Sequence, residues 1–337
     1  MDFPWLALTL ALLLSGHGLR KKSLSPSGAL TAFVVGFVML ADGTRVFGFT
    51  LIGFYLVGSR ATKFGKSRKA LLEDGYQEAG YRSGWQVLSN STSALVASFV
   101  WNAVFAPKSV QAAIADLLGI DVGYRLLGLK TPVQAYDTSD RGWCPLDASV
   151  ADGWSRALML ASLGHFACCL GDTLASELGI LSRSRPRLVT TFRTVPPGTN
   201  GAISLGGTVA SIVGGGLVGM MVGLTLILEN TRCSESWGSI AFETVGWGLC
   251  GGGLGSYIDS LLGATVQQTR YSKEKKVILQ DESKLKGETQ VISGWNVLSN
   301  NQVSQGIVVS PGNCLIWADL QVNLVSSVIC AGVVGGR

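Results

Sequence analysis

From Asn200 to Leu228 the chain runs without a single charged side chain, and similar apolar stretches recur along it with charges crowded between them. A bilayer core about 30 Å thick is spanned by a helix of ~20 apolar residues, so this blockwise pattern is that of membrane segments joined by polar loops. Only 15% of the residues are charged and mean hydropathy is +0.36. A soluble domain carries about 25% charged residues. The 44 glycines suit helices packed at backbone distance, where small residues let membrane helices approach. The sequence therefore predicts an all-α, polytopic integral membrane bundle forming one membrane domain over residues 1–337.

Eight apolar segments are legible, at roughly 2–16, 28–41, 46–58, 85–105, 154–171, 200–228, 239–263 and 322–335. Segments four to seven approach spanning length; the first three and the last are short for tilted or protein-shielded helices. Arg20, Lys21 and Lys22 follow the first segment instead of preceding it, so it reads as a retained anchor with an external N-terminus, not as a signal peptide. The loops after segments one, three, five and seven hold 19 Lys and Arg, against 6 in the loops after segments two, four and six. The positive-inside rule then makes the odd loops cytoplasmic. Residues 106–153 become a non-cytoplasmic loop, with six Asp and a short amphipathic helix expected. Residues 264–321 become a cytoplasmic loop, with 270–290 expected as a solvated, charge-rich stretch. Within it, Val303–Gln321 interrupts an otherwise sensible join between Asn300-Asn301-Gln302 and Val322-Asn323-Leu324. That insertion is either a retained short intron in the gene model or an ordinary loop, and transcript sequencing decides between them.

The seven Cys show no CxxC or Cys/His spacing, so neither a zinc site nor a disulfide framework is expected, and those in apolar runs read as small hydrophobes. A net charge of +5 without a basic, aromatic-interleaved face argues against a nucleic-acid partner.

Three polar clusters interrupt the apolar pattern. In Gly171-Asp172-Thr173-Leu174-Ala175-Ser176-Glu177-Leu178-Gly179, helical spacing puts Asp172, Ser176 and Gly179 on one face. An acid at the end of an apolar helix is costly in lipid and marks a functional candidate; a snorkelling or capping Asp is the plain alternative. In Arg187 to Gly201, Pro196-Pro197-Gly198-Thr199-Asn200-Gly201 stops helix formation, and Thr199 or Asn200 is placed to cap segment six. Free backbone N–H groups there, with Arg187 and Arg193, form a natural anion site, or else a simple turn with topology-setting arginines. In Gly253 to Ala264, Gly255, Ser256, Asp259 and Gly263 share a helix face. Two carboxylates with small neighbours suit Mg²⁺, which takes one or two carboxylates plus substrate phosphates. Lys22 and Ser27 belong to a basic lip before segment two. Asn300, Asn301 and Asn323 either hydrogen-bond a head group or base, or cap segment eight. His165 reads as a packed membrane-helix side chain, and Gly215, Gly219 and Gly223 as a packing stripe. In the charge-derived topology all the polar clusters end at the cytoplasmic side.

These residues resemble a known family: animal transmembrane protein 19 and its plant relative, the phytyl-phosphate kinase of tocopherol synthesis. The matching stretches are Lys21-Lys22-Ser23-Leu24 with Ser27-Gly28-Ala29, then Gly171-Asp172-Thr173 with Ala175-Ser176-Glu177, and Pro186-Arg187-Leu188. They continue with Pro197 to Gly201, Gly255-Ser256 with Asp259-Ser260 and Leu262 to Thr265, and Asn300-Asn301 joined to Val322-Asn323-Leu324. Residues 106–150 and 270–290 do not match well. More distantly, the arrangement is similar to polyprenol kinases and CTP-using phosphatidate cytidylyltransferases. The resemblance implies a CTP-dependent kinase that converts an isoprenyl monophosphate to the diphosphate at the cytoplasmic face. It implies Mg²⁺ on Asp172 and Asp259 with Glu177 assisting, and an isoprenyl tail among the glycine-lined helices. Its partners would be membrane lipids, an isoprenyl phosphate and a nucleoside triphosphate, in the endoplasmic reticulum or another endomembrane. A transporter or flippase of an anionic lipid and a CDP-lipid-forming cytidylyltransferase are the competing readings.

Overall fold

In a computed structural model of the chain, residues 4–69, 81–130, 133–139, 142–274, 277–279, 288–295 and 322–336 are described. Every apolar segment is helical. The N-terminal group is α1 (Trp5–Arg20), α2 (Pro26–Leu40), α3 (Val46–Lys63) and a single turn, α4 (Lys66–Lys69). Segment four is divided into α5 (Gly84–Ser89) and α6 (Thr92–Phe105). The break is local chemistry: Ser91 Oγ donates to the Val87 carbonyl at 2.9 Å and Thr92 Oγ1 to that of Leu88 at 2.6 Å. Such hydroxyls compete with the helix ladder. The expected amphipathic helix of residues 106–153 is α7 (Val110–Leu117), followed by α8 (Val122–Leu127).

The long helices come next: α9 (Trp154–Gly179), α10 (Leu205–Glu229) and, after the short α11 (Thr231–Glu235), α12 (Trp237–Val266); α13 (Val322–Val334) closes the bundle. Two helical stretches, Val150–Gly179 and Leu205–Glu229, are long and apolar enough to cross a membrane by themselves, and α1, α2 and α6 are shorter apolar helices. The centre of the bundle is α9, in contact with α3, α6, α10, α12 and α13. Its Leu163, His165, Phe166, Ala167 and Leu170 are fully buried, which is why the helix is apolar almost all round.

Two sequence expectations are corrected here. The 270–290 stretch is not simply a solvated loop: β3 (Thr269–Ser272), β4 (Val277–Leu279) and β5 (Thr289–Ser293) form an antiparallel sheet in the order β4-β3-β5. Each strand is only three to five residues long, too short for its alternation to stand out beside dense charge. And a disulfide exists, Cys144–Cys233, with Cα atoms 5.1 Å apart. Its halves lie 89 residues apart, a separation that carries no local signature. The bond ties the segment before α9 to α11, at the bundle end where α3 and α9 begin and α10 finishes. That end is sealed by Trp101, Phe105, Tyr136 and Trp143, with ring centroids 5.1–6.4 Å apart. The insertion Val303–Gln321 lies outside the described residues, as do Asn300 and Asn301.

Candidate functional site

The site follows from how α9, α10 and α12 interlock. Gly171 faces the Gly252 Cα, where an added methyl would sit 2.8 Å away, and the Ser211 carbonyl. Gly215 faces Gly248 and Gly252, Gly219 faces the Thr244 backbone, and Gly223 faces the Thr244 side chain. The small-residue stripe therefore packs backbone against backbone. It leaves no room for a lipid tail between these helices, which corrects the expectation that the tail lies there.

The same packing sets the register of the acids. A methyl on Gly255 would lie 2.5 Å from Cys168 Sγ, so these two residues are level on neighbouring helices. Gly164 meets Gly251 and, four residues on in each helix, Cys168 meets Gly255, so α9 and α12 run in parallel. Asp172 and Asp259 each lie four residues further along, about one turn. Their carboxyl groups hydrogen-bond one another. Both side chains are partly buried, and the buried Ser326 of α13 donates its Oγ to Asp259 Oδ1 at 3.4 Å. Two carboxyls hold such a contact only with a shared proton, and a divalent cation can take that proton's place. Among the described residues no cluster of three or more His, Cys, Asp or Glu side chains suits a metal. The donor set is two carboxyls and hydroxyl oxygens, hard ligands that fit Mg²⁺ if phosphate or water completes the shell.

The glycine-proline turn sits one turn beyond Asp259. Gly201, in the left-handed region at φ 74°, lies directly on Ala264 and beside Gly263. A short hairpin, β1 (Arg187–Leu188) paired with β2 (Ala202–Ile203), holds it there, with Leu188, Val189 and Ala264 as a small core. Gly198 is exposed at φ 86°, and the Asn200 N–H donates to Thr269 Oγ1 at 3.1 Å. Thr199 is buried and turned onto the Pro196 carbonyl at 2.7 Å. The cap of α10 is therefore not Thr199 or Asn200 but Ser204, which accepts from the Gly207 N–H at 3.1 Å. Arg193 is exposed; Arg187 is exposed too and donates to the Phe192 carbonyl at 3.0 Å. Ser256 is buried three residues before Asp259, and Ser176 is exposed with its hydroxyl on the Thr173 carbonyl.

Glu177 is not grouped with the two aspartates. It accepts from the Lys69 Nζ at 2.6 Å, and Lys69, only 2% exposed, also donates to the Ala61 and Thr62 carbonyls at the end of α3. The reason is helical geometry: five residues on from Asp172 turns the side chain about 140° around α9. The lip is built as a joint. Ser25 caps α2, Ser27 Oγ lies 2.9 Å from Ser25 Oγ and accepts from the Gly84 N–H, and Lys22 is exposed at φ 54°. Leu24 bridges Arg82, whose N–H donates to the Ser23 carbonyl at 2.9 Å. The guanidinium of Arg82 interacts with Glu177 and Tyr55, and it and Thr173 both approach Gly58. Asn323 lies in the first turn of α13, three residues before Ser326. His165 is packed, with Ser93 Oγ at 2.7 Å and Cys169 Sγ at 3.8 Å. Lys69, Arg82 and Ser326 are the residues that sequence reasoning passed over; a lone basic residue in a basic loop and a Ser in an apolar helix carry no pattern.

Fold and site together define a polytopic helical membrane protein with a paired-carboxyl centre at one end of the bundle. The chain belongs to the family described as integral membrane protein DUF92, whose model matches residues 9–305. Protein PGR of Arabidopsis thaliana is 32% identical over 302 residues, covering 88% of this chain and 90% of that protein. An uncharacterized membrane protein of Methanocaldococcus jannaschii is 37% identical over 133 residues, 39% of this chain and 46% of that protein. Protein VTE6, chloroplastic, of Arabidopsis thaliana is 26% identical over 209 residues, 61% of this chain and 49% of that protein. These relatives fit the transmembrane protein 19 and phytyl-phosphate kinase family that the sequence resembles. No solved structure matches.

Proposed function

We propose that this protein is a CTP-dependent kinase that converts an isoprenyl monophosphate to the diphosphate at the cytoplasmic membrane face. The observation that carries it is the contact between the Asp172 and Asp259 carboxyls beside the Pro197–Gly201 turn. Phosphoryl transfer depends on positioning and charge stabilisation, so paired acids next to an exposed glycine turn and arginines are the parts it needs. Asp172 and Asp259 would hold Mg²⁺, which would supply neutralising charge to the phosphates. The exposed Gly198 backbone, Arg187 and Arg193 bind phosphoryl oxygens. Asn300, Asn301 and Asn323 contribute polar contacts to nucleotide or head group, and Ser326 positions Asp259.

The disulfide supports the topology. Disulfides persist in oxidising compartments, and Cys144–Cys233 lies at the end opposite the acids. The acids then face the reducing cytosol, as the Lys and Arg distribution requires. An endomembrane such as the endoplasmic reticulum has this arrangement; the name of VTE6 places that relative in the chloroplast.

The test is purified protein with labelled CTP and a panel of isoprenyl monophosphates. Asp172→Asn is expected to lower kcat at least ~100-fold, as loss of one transition-state electrostatic contact does. Full activity in a folded Asp172→Asn protein would overturn the reading. Release of pyrophosphate instead of CDP would identify a cytidylyltransferase.

A further inference from the structure

The helices that carry the acids are closed against a lipid tail, but α1, α2 and α3 are not. Between them lies an apolar slot of about 90 Å³, walled by Leu14, Val35, Leu51 and Phe54, with Leu24 and Arg82 at one end and Leu40 at the other. Leu24 precedes α2 and Leu40 ends it, so the slot follows α2 for about 20 Å at 1.5 Å per residue. At ~10–15 Å³ for each water-sized group, it holds six to nine such groups in file. Its hydroxyls at Ser15 and Ser91 are turned onto the Ala11 and Val87 carbonyls and that of Tyr55 lies 3.4 Å from Ser23 Oγ, so apart from Asn90 and Arg82 the wall is mainly hydrocarbon. Among the described residues lining it, Arg82 is the one that is charged. Arg82 is partly exposed, and its guanidinium and Thr173, the neighbour of Asp172, both approach Gly58.

A thin apolar slot with a cation at its mouth, opening at the height of Asp172 on a neighbouring face of α9, is complementary to an anionic head on a linear hydrocarbon. We infer that this slot takes the first isoprene units of a prenyl monophosphate, and that Arg82 holds its phosphate at the level of Asp172. This rests on the kinase reading for the identity of the head group. Arg82 is a substrate-binding residue, and Glu177, already balanced by Lys69, is within electrostatic reach of it. Gly36 lines the slot, and a methyl there would meet only the Ala11 Cβ, at 3.7 Å. Gly36→Leu therefore narrows the slot from a position where a Cβ is accommodated.

The experiment is equilibrium binding without nucleotide, on full-length protein in nanodiscs, using geranylgeranyl monophosphate and geranylgeraniol as probes. Arg82→Gln is expected to weaken the monophosphate at least ~10-fold, the effect of one charge-assisted contact, and to leave the alcohol unchanged. Gly36→Leu is expected to weaken both probes. Wild-type binding of the monophosphate by both variants would overturn the inference, as would alcohol binding insensitive to Gly36→Leu. Binding that depends on Arg82 and Gly36 without CTP turnover would keep the slot and remove the kinase. Turnover that needs Asp172 but neither Arg82 nor Gly36 would keep the kinase and remove the slot.

Discussion

At the scale of single residues, the informative contrast is between acids that face each other and an acid that faces a cation. Asp172 and Asp259 meet because Cys168 and Gly255 are level on parallel helices. Glu177 instead neutralises Lys69, which is nearly fully buried. Removing one partner of such a pair leaves a charge without a counter-ion, at a cost of about 3–5 kcal/mol. Glu177→Gln should therefore lower the melting temperature in detergent, and adding Lys69→Met should recover most of the loss. Additive loss in the double variant would show that the pair is not coupled. Asp42, in the turn between α2 and α3, makes a different prediction. It accepts from Ser98 at 2.9 Å and Gln111 at 2.5 Å, and burial, reinforced by the nearby Glu229, pushes its carboxyl well above the usual range. A carboxyl raised on folding stabilises below its unfolded value near 4 and loses that contribution as pH climbs through the folded value. Melting curves should show stability falling with rising pH over that window, and Asp42→Asn should flatten the slope.

At the scale of elements, the glycines of α10 and α12 matter because they have no side chain. A methyl on Gly215 would collide with the Gly248 carbonyl, whereas one on Gly246 would meet nothing within 4 Å. Gly215→Ala should cost about 1–3 kcal/mol through overpacking, and Gly246→Ala should be neutral or stabilise by up to ~1 kcal/mol through helix propensity. Equal melting temperatures for the two variants would contradict the packing. The same helices show how much was legible. Their positions followed from hydropathy, and the packing role of Gly215, Gly219 and Gly223 from their four-residue spacing. The break between α5 and α6 did not, because Ser and Thr sit as readily inside membrane helices as at their ends. The sheet of β3, β4 and β5 was hidden for a related reason: its strands are held by partners in the fold, not by their own pattern.

At the scale of the whole molecule, the two ends of the bundle are built differently. One is sealed by aromatic rings and the Cys144–Cys233 bond; the other carries the acids, the turn and the basic lip. Cross-linking across 89 residues restricts the unfolded chain, so Cys144→Ser with Cys233→Ser should cost about 2–5 kcal/mol, read from thermal melts. A cysteine placed at Arg193 should react with an impermeant maleimide from the cytosolic side of sealed vesicles. Labelling from the other side would invert the topology.

The membrane class, the helix positions and the identity of Asp172 and Asp259 as unusual acids are properties of the sequence alone. They express the cost of placing polar groups in hydrocarbon, which each segment meets by itself. That Glu177 leaves the pair for Lys69, where the disulfide closes and where a slot stays open were decided only by tertiary packing. Those outcomes depend on side chains distant in the chain filling, or failing to fill, the same space.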